Sequence, residues 1–353
     1  MLRRLCIPGV YSWSATLAEE PFVASSHLVT TVHGNVAVDP LPLDEAAHRQ
    51  IEALGGIGRV IVTIAEREAT AKKMAARYGA AVVGQARHRE KLFAGGMAIE
   101  LPDQELDGEF AVLLPSHRAV IIGRCVAGTP AGALSLRFDR DDAGACKAAL
   151  GLRRVLQTNP EHLLTGLGDS IFFGAYAALY RALHERAGAS IHRVNLDELD
   201  YRDEREERVE QPDGYHCIDA EVGFTIGARA LGYRVSTLGP GQRFCPLHSH
   251  AREEEMFFVL EGEPSIRTLS GTIRCRKGDF IAFPVGVGGT HQLLNESNTP
   301  ATVLLLGRTE GVEACYYPDS DKLLVDTETP IANGNDSIMV RAHPQLEYFN
   351  GET

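Results

Sequence analysis

The chain has 353 residues, of which 44% are hydrophobic and 23% are charged, and its formal net charge is −12. This length predicts two domains, and the negative charge argues against a general nucleic-acid binder or a polybasic protein of the membrane surface. The sequence has no uninterrupted apolar run of about 18 residues, so no membrane-spanning helix is predicted. The N-terminus also lacks the apolar core of a signal peptide, and we therefore expect a cytoplasmic protein.

Seven cysteines are scattered along the chain, and no two of them form a Cys-x-x-Cys pair. An odd number without paired spacing predicts free, mostly buried thiols rather than a disulfide framework or a zinc knuckle. The seven are Cys6, Cys125, Cys146, Cys217, Cys245, Cys275 and Cys315.

The first half of the chain alternates strand-like and helix-like patterns. Short apolar runs predict strands, and segments with apolar residues at helical spacing predict helices. The predicted strands lie at 27–40 (a pair around a His-Gly-Asn turn), 59–65, 80–84 and 110–124 (a pair around a Pro-Ser-His turn), and the predicted helices at 43–56, 68–79, 144–157 and 175–188. This order predicts a layered α/β domain over residues 1–188.

The pattern changes after residue 188. Residues 189–215 carry a run of mixed charge, which is typical of a solvated linker. Residues 216–330 contain short strand-like runs separated by turn signals, which predicts an all-β sandwich or barrel. Residues 331–353 are polar and predict a C-terminal tail that wraps a neighbouring surface or is loosely ordered.

The second domain contains histidines and a carboxylate at the spacing of a metal site. In HSHAREEEMFFVLEG, residues 248–262, His248 and His250 point to the same side of a strand, because side chains alternate there. Glu255 needs a turn before it and can then face the same space from the next antiparallel strand. His291 follows a glycine-rich loop at the start of another predicted strand.

These segments resemble the two conserved motifs of the cupin superfamily. Residues 241–262 match the pattern of His-x-His, four residues, Glu, six residues and Gly, and residues 278–295 match the pattern that places Pro-x-Gly before a histidine. The first glycine lies one residue further from His248 than in the commonest form, and the gap before His291 is longer. Neither difference moves a candidate ligand.

The cupin resemblance implies an antiparallel β-barrel or jelly roll that holds one divalent transition metal per chain. Glu254 is an alternative carboxylate, because some cupins use a shorter gap. Three imidazoles and one carboxylate suit Mn, Fe, Zn, Ni or Co, and the ligand types do not choose among these metals. The implied protein ligands are His248, His250, Glu255 and His291.

Residues 10–185 resemble the metallo-β-lactamase fold through an opening hairpin, a first helix and the strand that follows it. Where active members carry His-x-His-x-Asp-His, this chain has IAEREA at 64–69; the metal-bridging aspartate is replaced by Arg124, and the late histidine falls near Asp169. Arginine stays protonated and cannot bind a metal. We therefore expect a non-catalytic domain without the dinuclear zinc site, with a cation bound by the two glutamates of 64–69 as the alternative.

Two classes of function stay open for the cupin half. A metalloenzyme would act on a small polar metabolite as an isomerase, lyase or dioxygenase, because a metal with open positions can orient a substrate and stabilise an oxyanion. The fold does not choose among these reactions. A binding or sensing module would hold a small ligand through the metal without turnover. Hydrolysis in the first domain ranks last.

Further expectations concern partners and secondary residues. We expect no nucleic-acid partner and no membrane partner. We do expect a homodimer, because cupins often pair through strands outside the barrel. Residues 313–325 resemble a stretch that follows the barrel in a bacterial cupin subgroup without an assigned function, and we expect Tyr316 and Tyr317 there to pack in the core. Three polar side chains are pocket candidates, although a surface position is expected for each: Arg243, Arg267 and Gln292.

Overall fold

The computed structural model describes residues 2–18, 21–104, 109–138, 141–203, 205, 212–308, 311–327, 337–347 and 350. The chain divides into two compact units, Met1–Arg193 and Val194–Thr353. None of the described helices is long and apolar enough to cross a membrane. Parts of the predicted linker (204 and 206–211) and of the predicted tail (331–336, 348–349 and 351–353) lie outside the described residues.

The first unit contains two six-stranded sheets and helices. The first sheet has the order β1-β2-β3-β4-β5-β6 and the second β14-β13-β10-β9-β8-β7, while β11 pairs with β12. The strands are β1 Arg3–Arg4, β2 Val10–Thr16, β3 Val23–Val29, β4 Val36–Val38, β5 Arg59–Ile61, β6 Ala81–Val83, β7 Lys91–Phe93, β8 Gly96–Glu100, β9 Phe110–Leu114, β10 Ala119–Ile122, β11 Val126–Ala127, β12 Ser135–Leu136, β13 His162–Thr165 and β14 Ile171–Phe172. The helices are α1 Glu45–Ala53, α2 Glu68–Tyr78, α3 Asp142–Gly151, α4 Arg153–Gln157 and α5 Ala175–Ala187.

Apolar layers on both faces of the first sheet hold this unit together. The cluster between the two sheets includes Val10, Val29, Val38, Phe110, Val112 and Ile121. The cluster between the first sheet and its helices includes Leu28, Val60, Ile51 of α1 and Met74 of α2. Because β4 and the last two residues of β5 are buried, these positions are continuous apolar runs rather than alternating ones, and only Arg59 at the start of β5 is polar.

One predicted helix of the first unit differs from the structure. The segment expected as a single helix at 144–157 forms α3 and α4, with a break at Leu152. Gly151 ends α3 where its backbone packs against Pro102, so that a Cβ at this position would collide with the Pro102 carbonyl oxygen. Glycine is a weak helix former, which favours a break there.

The second unit is built almost entirely from antiparallel strands. Its sheets have the orders β15-β16-β17-β24-β19-β22, β18-β25-β26-β27 and β21-β20-β23. The strands are β15 Arg202–Asp203, β16 Ile218–Glu221, β17 Leu231–Leu238, β18 Ser249–His250, β19 Glu255–Glu261, β20 Ser265–Thr268, β21 Gly271–Arg274, β22 Phe280–Phe283, β23 His291–Leu294, β24 Ala301–Arg308, β25 Glu313–Tyr317, β26 Lys322–Asp326 and β27 Ser337–Arg341. A short helix, α6 Gly223–Ile226, lies between β16 and β17. None of the sheets formed by these described strands closes on itself, so the barrel or jelly roll stays a prediction.

Alternation along the central strands creates the core of the second unit. Phe257 and Val259 of β19 are buried beside Val303 and Leu305 of β24, whereas the residues between them are partly exposed. Two strands fall in segments expected to be linker or tail: β15 pairs with β16, and β27 pairs with β26. The domain boundaries drawn from the sequence remain a prediction.

Candidate metal centre

Three neighbouring segments bring the predicted ligands together. His248 and His291 lie opposite each other, and each backbone N–H donates to the carbonyl of the other residue, at 3.1 and 2.9 Å. His250 lies two residues along the chain from His248 and therefore faces the same side. Glu255 begins β19 after the bend at 251–254. The fold thus collects the four side chains from distant parts of the motif.

The nitrogen and carboxylate atoms of this cluster approach one another closely. His250 Nε2 is 3.1 Å and His291 Nε2 is 3.0 Å from the same oxygen, Glu255 Oε2. His248, His250 and Glu255 offer ligand atoms that all lie within 4.8 Å of one another. The ring centroids of His248 and His291 are 4.7 Å apart. The four predicted ligands therefore share one small space.

Backbone carbonyls orient two of the imidazole rings. His248 Nδ1 is 3.0 Å from the carbonyl oxygen of Pro246, and His291 Nδ1 is 2.9 Å from that of Gly289. Because a carbonyl oxygen only accepts, each Nδ1 carries the proton and each Nε2 presents a lone pair. Such a bond at the distal nitrogen is the usual support of a metal-binding histidine.

The close contacts require a positive charge between them. In the described part of the chain, His250 Nε2, Glu255 Oε2 and His291 Nε2 are buried and have no hydrogen-bond partner. The 3.0 Å approach of His291 Nε2 to Glu255 Oε2 is favourable only with a proton on the imidazole or a cation at the cluster, since an unprotonated Nε2 and a carboxylate are both acceptors. Two ligands about 2.1 Å from one ion, at a right angle, lie about 3.0 Å apart. The residues present therefore fit a divalent metal.

The pKa values of these residues also indicate that the cluster holds a positive charge. Burial lowers the pKa of His248 to about 4. Burial acts in the same direction on His250, but the neighbouring Cys315 and Glu255 outweigh it and raise the pKa of His250 to about 10. Burial raises the pKa of Glu255, yet His250 and His291 hold it well below its usual range. Without a metal, the cluster therefore keeps a proton on His250 beside an ionised carboxylate.

Aromatic side chains border the cluster. Phe283 stacks on the His291 ring with centroids 3.8 Å apart, and Phe257 meets the same ring edge-on at 5.3 Å. Tyr317 stacks on the His248 ring at 5.8 Å, and burial raises the pKa of Tyr317 well above its usual range. Tyr317 thus lies against a candidate ligand, although the sequence predicts only core packing for it.

Local sequence patterns do not reveal the strand that lies beside His250. β25 pairs with β18 so that Cys315 is opposite His250, with Cys315 Sγ 3.3 Å from His250 Nδ1. From the same strand, Glu313 accepts hydrogen bonds from the backbone N–H groups of residues 251–253, the shortest being 2.7 Å. The pairing of these two strands is a long-range contact, and the spacing of residues within either strand does not encode it.

The three polar pocket candidates lie close to one another. Gln292 is buried rather than exposed, and its Nε2 donates to a backbone carbonyl at 2.7 Å and to the Tyr215 hydroxyl at 3.3 Å. Arg267 pairs with Asp319 at 2.6 Å, and the Arg243 guanidinium lies 5.5 Å from the centre of the Tyr215 ring. The surface position expected for Gln292 is therefore wrong, because its amide is needed to satisfy buried polar groups.

The first unit has no comparable cluster among its described residues. Among all the described residues of the chain, two groups of three potential metal-ligand side chains lie close together, and both groups are in the second unit. Arg124, at the expected aspartate position, pairs through Nη1 with Glu66 Oε1 at 2.6 Å. Arg124 and Glu66 therefore neutralise each other instead of facing a metal ion.

Comparisons with known proteins agree with both resemblances. The model of the metallo-beta-lactamase superfamily matches residues 2–185, more than half of the chain. The chain belongs to this superfamily. The model of the cupin domain matches residues 234–307, so the second unit of this metallo-beta-lactamase superfamily member contains a cupin domain. Among curated proteins, no significant match is found.

Solved structures of cupin type resemble part of the chain. A sugar phosphate isomerase of the cupin superfamily from Silicibacter pomeroyi is 26% identical over 42% of this chain and 92% of its own, with a TM-score of 0.36. A candidate sugar phosphate isomerase from Acidithiobacillus ferrooxidans is 21% identical over 45% of this chain and 97% of its own, with a TM-score of 0.38. The polyketide cyclase RemF from Streptomyces resistomycificus is 19% identical over 33% of this chain and 79% of its own, with a TM-score of 0.29.

Proposed function

We propose that the cupin domain binds one divalent transition metal and acts as a metalloenzyme on a small polar metabolite. The supporting observation is the convergence of His250 Nε2, Glu255 Oε2 and His291 Nε2, which are buried, in contact and without hydrogen bonds in the described structure. The closed barrel and the homodimer expected from the sequence belong to the same proposal. The proposed ligands are His248, His250, Glu255 and His291.

The chain's own residues would prepare the site for such chemistry. A metal held there would supply open coordination positions and Lewis acidity for an isomerase, lyase or dioxygenase reaction. The carbonyl groups at the Nδ1 atoms of His248 and His291 keep both Nε2 lone pairs directed at the cluster. Phe257 and Phe283 exclude water from one side of His291, which strengthens electrostatic interactions there.

A metal-dependent binding or sensing module without turnover is the second candidate. One specific observation favours it: Glu313, a carboxylate next to the cluster, is engaged by the backbone N–H groups of residues 251–253. That carboxylate is therefore not free to act as a general base. In both candidates the metallo-beta-lactamase-like unit is a non-catalytic partner, since Arg124 and Glu66 neutralise each other there.

Incubation with a defined mixture of small polar metabolites distinguishes the two functions. Metal-loaded wild type and the His248→Ala/His291→Ala variant are each mixed with organic acids, hydroxy acids and sugar phosphates, and the mixture is followed by NMR. Loss of one compound with wild type only supports an enzyme. Line broadening of one compound without conversion supports a binding module. Identical spectra for both proteins would contradict both functions.

A matched variant controls for the loss of two histidines. His192 and His343 are exposed and lie outside the cluster, so His192→Ala/His343→Ala removes the same number of imidazoles elsewhere. We expect this variant to behave as wild type in the NMR experiment. Loss of the effect in both double variants would point to general destabilisation rather than to a metal site.

A further inference from the structure

The inner face of the first sheet in the metallo-beta-lactamase-like unit changes from apolar to polar along its strands. Val10 and Val29 pack in the core between the two sheets. Alternation places Ser12 and Ser14 next on the same face of β2, and the strand register pairs Ser14 with Ser25. Ser14 is exposed, and its Oγ lies 3.0 Å from Ser25 Oγ, so hydroxyl groups form the surface of this part of the face.

These serines line a cleft of about 700 Å³. Residues 168–170 form another wall, and Val23 and Phe172 add apolar surface. The loop at 168–170 is held to β3, because the Gly168 N–H donates to the Val23 carbonyl at 2.8 Å. The volume lies in the range of about 300 to 1,000 Å³ that small-molecule sites occupy.

Two arginine side chains give the cleft positive charge. Arg3 and Arg4 of β1 both line it, and the register pairs Arg3 with Ser12, on the serine-bearing face. Within the described part of the chain, neither guanidinium forms an ion pair or a hydrogen bond. Asp169 also lines the cleft and contributes one negative charge against these two positive ones. A net positive cleft in a chain of net charge −12 indicates an anionic ligand.

A buried histidine lies on the same face of the sheet but is not among the residues that line the cleft. His27 is opposite Ser12 in the register and is 1% exposed, and its Nε2 lies 3.2 Å from the Thr165 carbonyl oxygen. Burial lowers the pKa of His27 to about 4, so the ring is neutral and Nε2 donates the proton. His27 Nδ1 is then an acceptor, and it has no partner in the described structure. His27 is therefore a polar neighbour of Ser12 inside the sheet packing and not a ligand-binding group of the cleft.

We propose that this cleft binds a small phosphate ester. Arg3 and Arg4 bind the phosphate group, the hydroxyls of Ser12 and Ser14 bind its oxygens, and Phe172 covers an apolar or ring-shaped part of the ligand. The cleft lies entirely in the first unit, so this site is independent of the proposed metal site. A carboxylate ligand would use the same positive charges and is distinguished by the choice of probes.

The test is isothermal titration calorimetry on the full chain at low ionic strength, with phenyl phosphate, inorganic phosphate and benzoate as probes. We expect phenyl phosphate to bind most tightly, inorganic phosphate more weakly because it lacks a ring, and benzoate most weakly. The Arg3→Gln/Arg4→Gln variant should weaken phenyl phosphate binding roughly tenfold or more, because charge-assisted bonds to phosphate are lost. Tightest binding of benzoate would overturn the phosphate assignment, and no binding of any probe would overturn the site.

A charge-matched control and a steric variant complete the experiment. Arg49→Gln/Arg181→Gln removes two exposed arginines of the same unit, and we expect it to leave the affinity for phenyl phosphate unchanged. Equal weakening in both double variants would show attraction to overall charge and overturn the proposal. Ser14→Leu fills the cleft from an exposed position of β2 and should abolish binding at an unchanged unfolding temperature. Full binding by Ser14→Leu would place the anion elsewhere and overturn the site.

Discussion

The position of the proton on each imidazole decides what the candidate metal centre can bind. Carbonyl oxygens hold the proton on Nδ1 of His248 and His291, so that two lone pairs and the Glu255 carboxylate face a common space. Only a proton or a metal ion can neutralise such a group of acceptors. His250 differs from the other two histidines, because its Nδ1 faces the Cys315 thiol rather than a carbonyl.

Replacing Cys315 tests whether this contact orients His250. We expect Cys315→Ala to lower the metal affinity of the protein roughly tenfold, because loss of a partner at the distal nitrogen typically lowers affinity 10- to 100-fold. The affinity is measured by competition with a chromophoric chelator. Cys275→Ala is the matched control, since Cys275 is also buried in the second unit but lies in its apolar core. An unchanged affinity in Cys315→Ala, or an equal loss in Cys275→Ala, would contradict this role.

Metal binding is expected to release a proton near neutral pH. In the metal-free protein the pKa of His250 is about 10, so His250 holds a proton at pH 7 that a metal must displace. The apparent affinity should therefore rise about tenfold per pH unit between roughly pH 6 and pH 9. Calorimetry in buffers of different ionisation enthalpy measures the release, which we expect to be about one proton per ion. An affinity that does not change with pH would show that His250 is neutral before binding.

At the scale of strands and turns, part of the candidate site follows from local rules. Strand alternation and one turn are enough to predict that His248, His250 and Glu255 face the same space, because all three lie within a short stretch of chain. The contact with His291 also follows from a recognisable motif. The contacts of Cys315 and Tyr317 do not, because they depend on the register of β25 against β18, which no local pattern specifies.

The same contrast holds in the first unit. Apolar runs predict β4, β5, β6, β9 and β10, and helical spacing predicts α1, α2 and α5, since each of these elements buries one or two faces. Other strands of this unit, among them β2, β8 and β13, are not among the predicted ones. The loss of metal ligands also follows from the sequence, because arginine is chemically excluded as a ligand. The Arg124–Glu66 ion pair and the polar inner face at Ser12 and Ser14 require the packing of distant strands and could not be predicted.

The turn after β19 offers a prediction about stability. Gly262 and Gly241 both have positive φ, at 80° and 75°, but only at Gly262 would a Cβ collide, lying 2.5 Å from the Pro300 carbonyl oxygen. Gly241→Ala should therefore lower the free energy of unfolding by about 1 kcal/mol, the backbone cost alone. Gly262→Ala should cost roughly 1 to 3 kcal/mol more because of overpacking. Urea denaturation of the metal-free protein measures both, and equal losses would contradict the role of close packing.

At the scale of the whole molecule, the chain consists of two compact units, and we propose that only the second binds a metal. A single free energy of unfolding does not describe such a chain when the units unfold separately. Removal of the metal with a chelator should lower the unfolding temperature of the second unit only. At a metal concentration of 100 times Kd, binding stabilises that unit by about 2.7 kcal/mol. Calorimetric scans with and without chelator check this, and a shift of both transitions or of neither would contradict it.

The metal content of the chain tests the central claim most directly. Elemental mass spectrometry is applied to untagged wild type and to the His248→Ala/His291→Ala variant, with His192→Ala/His343→Ala as the matched control. We predict about one equivalent of a single transition metal in wild type and in the control, and its loss in the His248→Ala/His291→Ala variant, as expected for a mononuclear histidine and carboxylate site. Metal that persists after both His248 and His291 are replaced, or no metal in any of the three proteins, would contradict the proposed cupin metal centre.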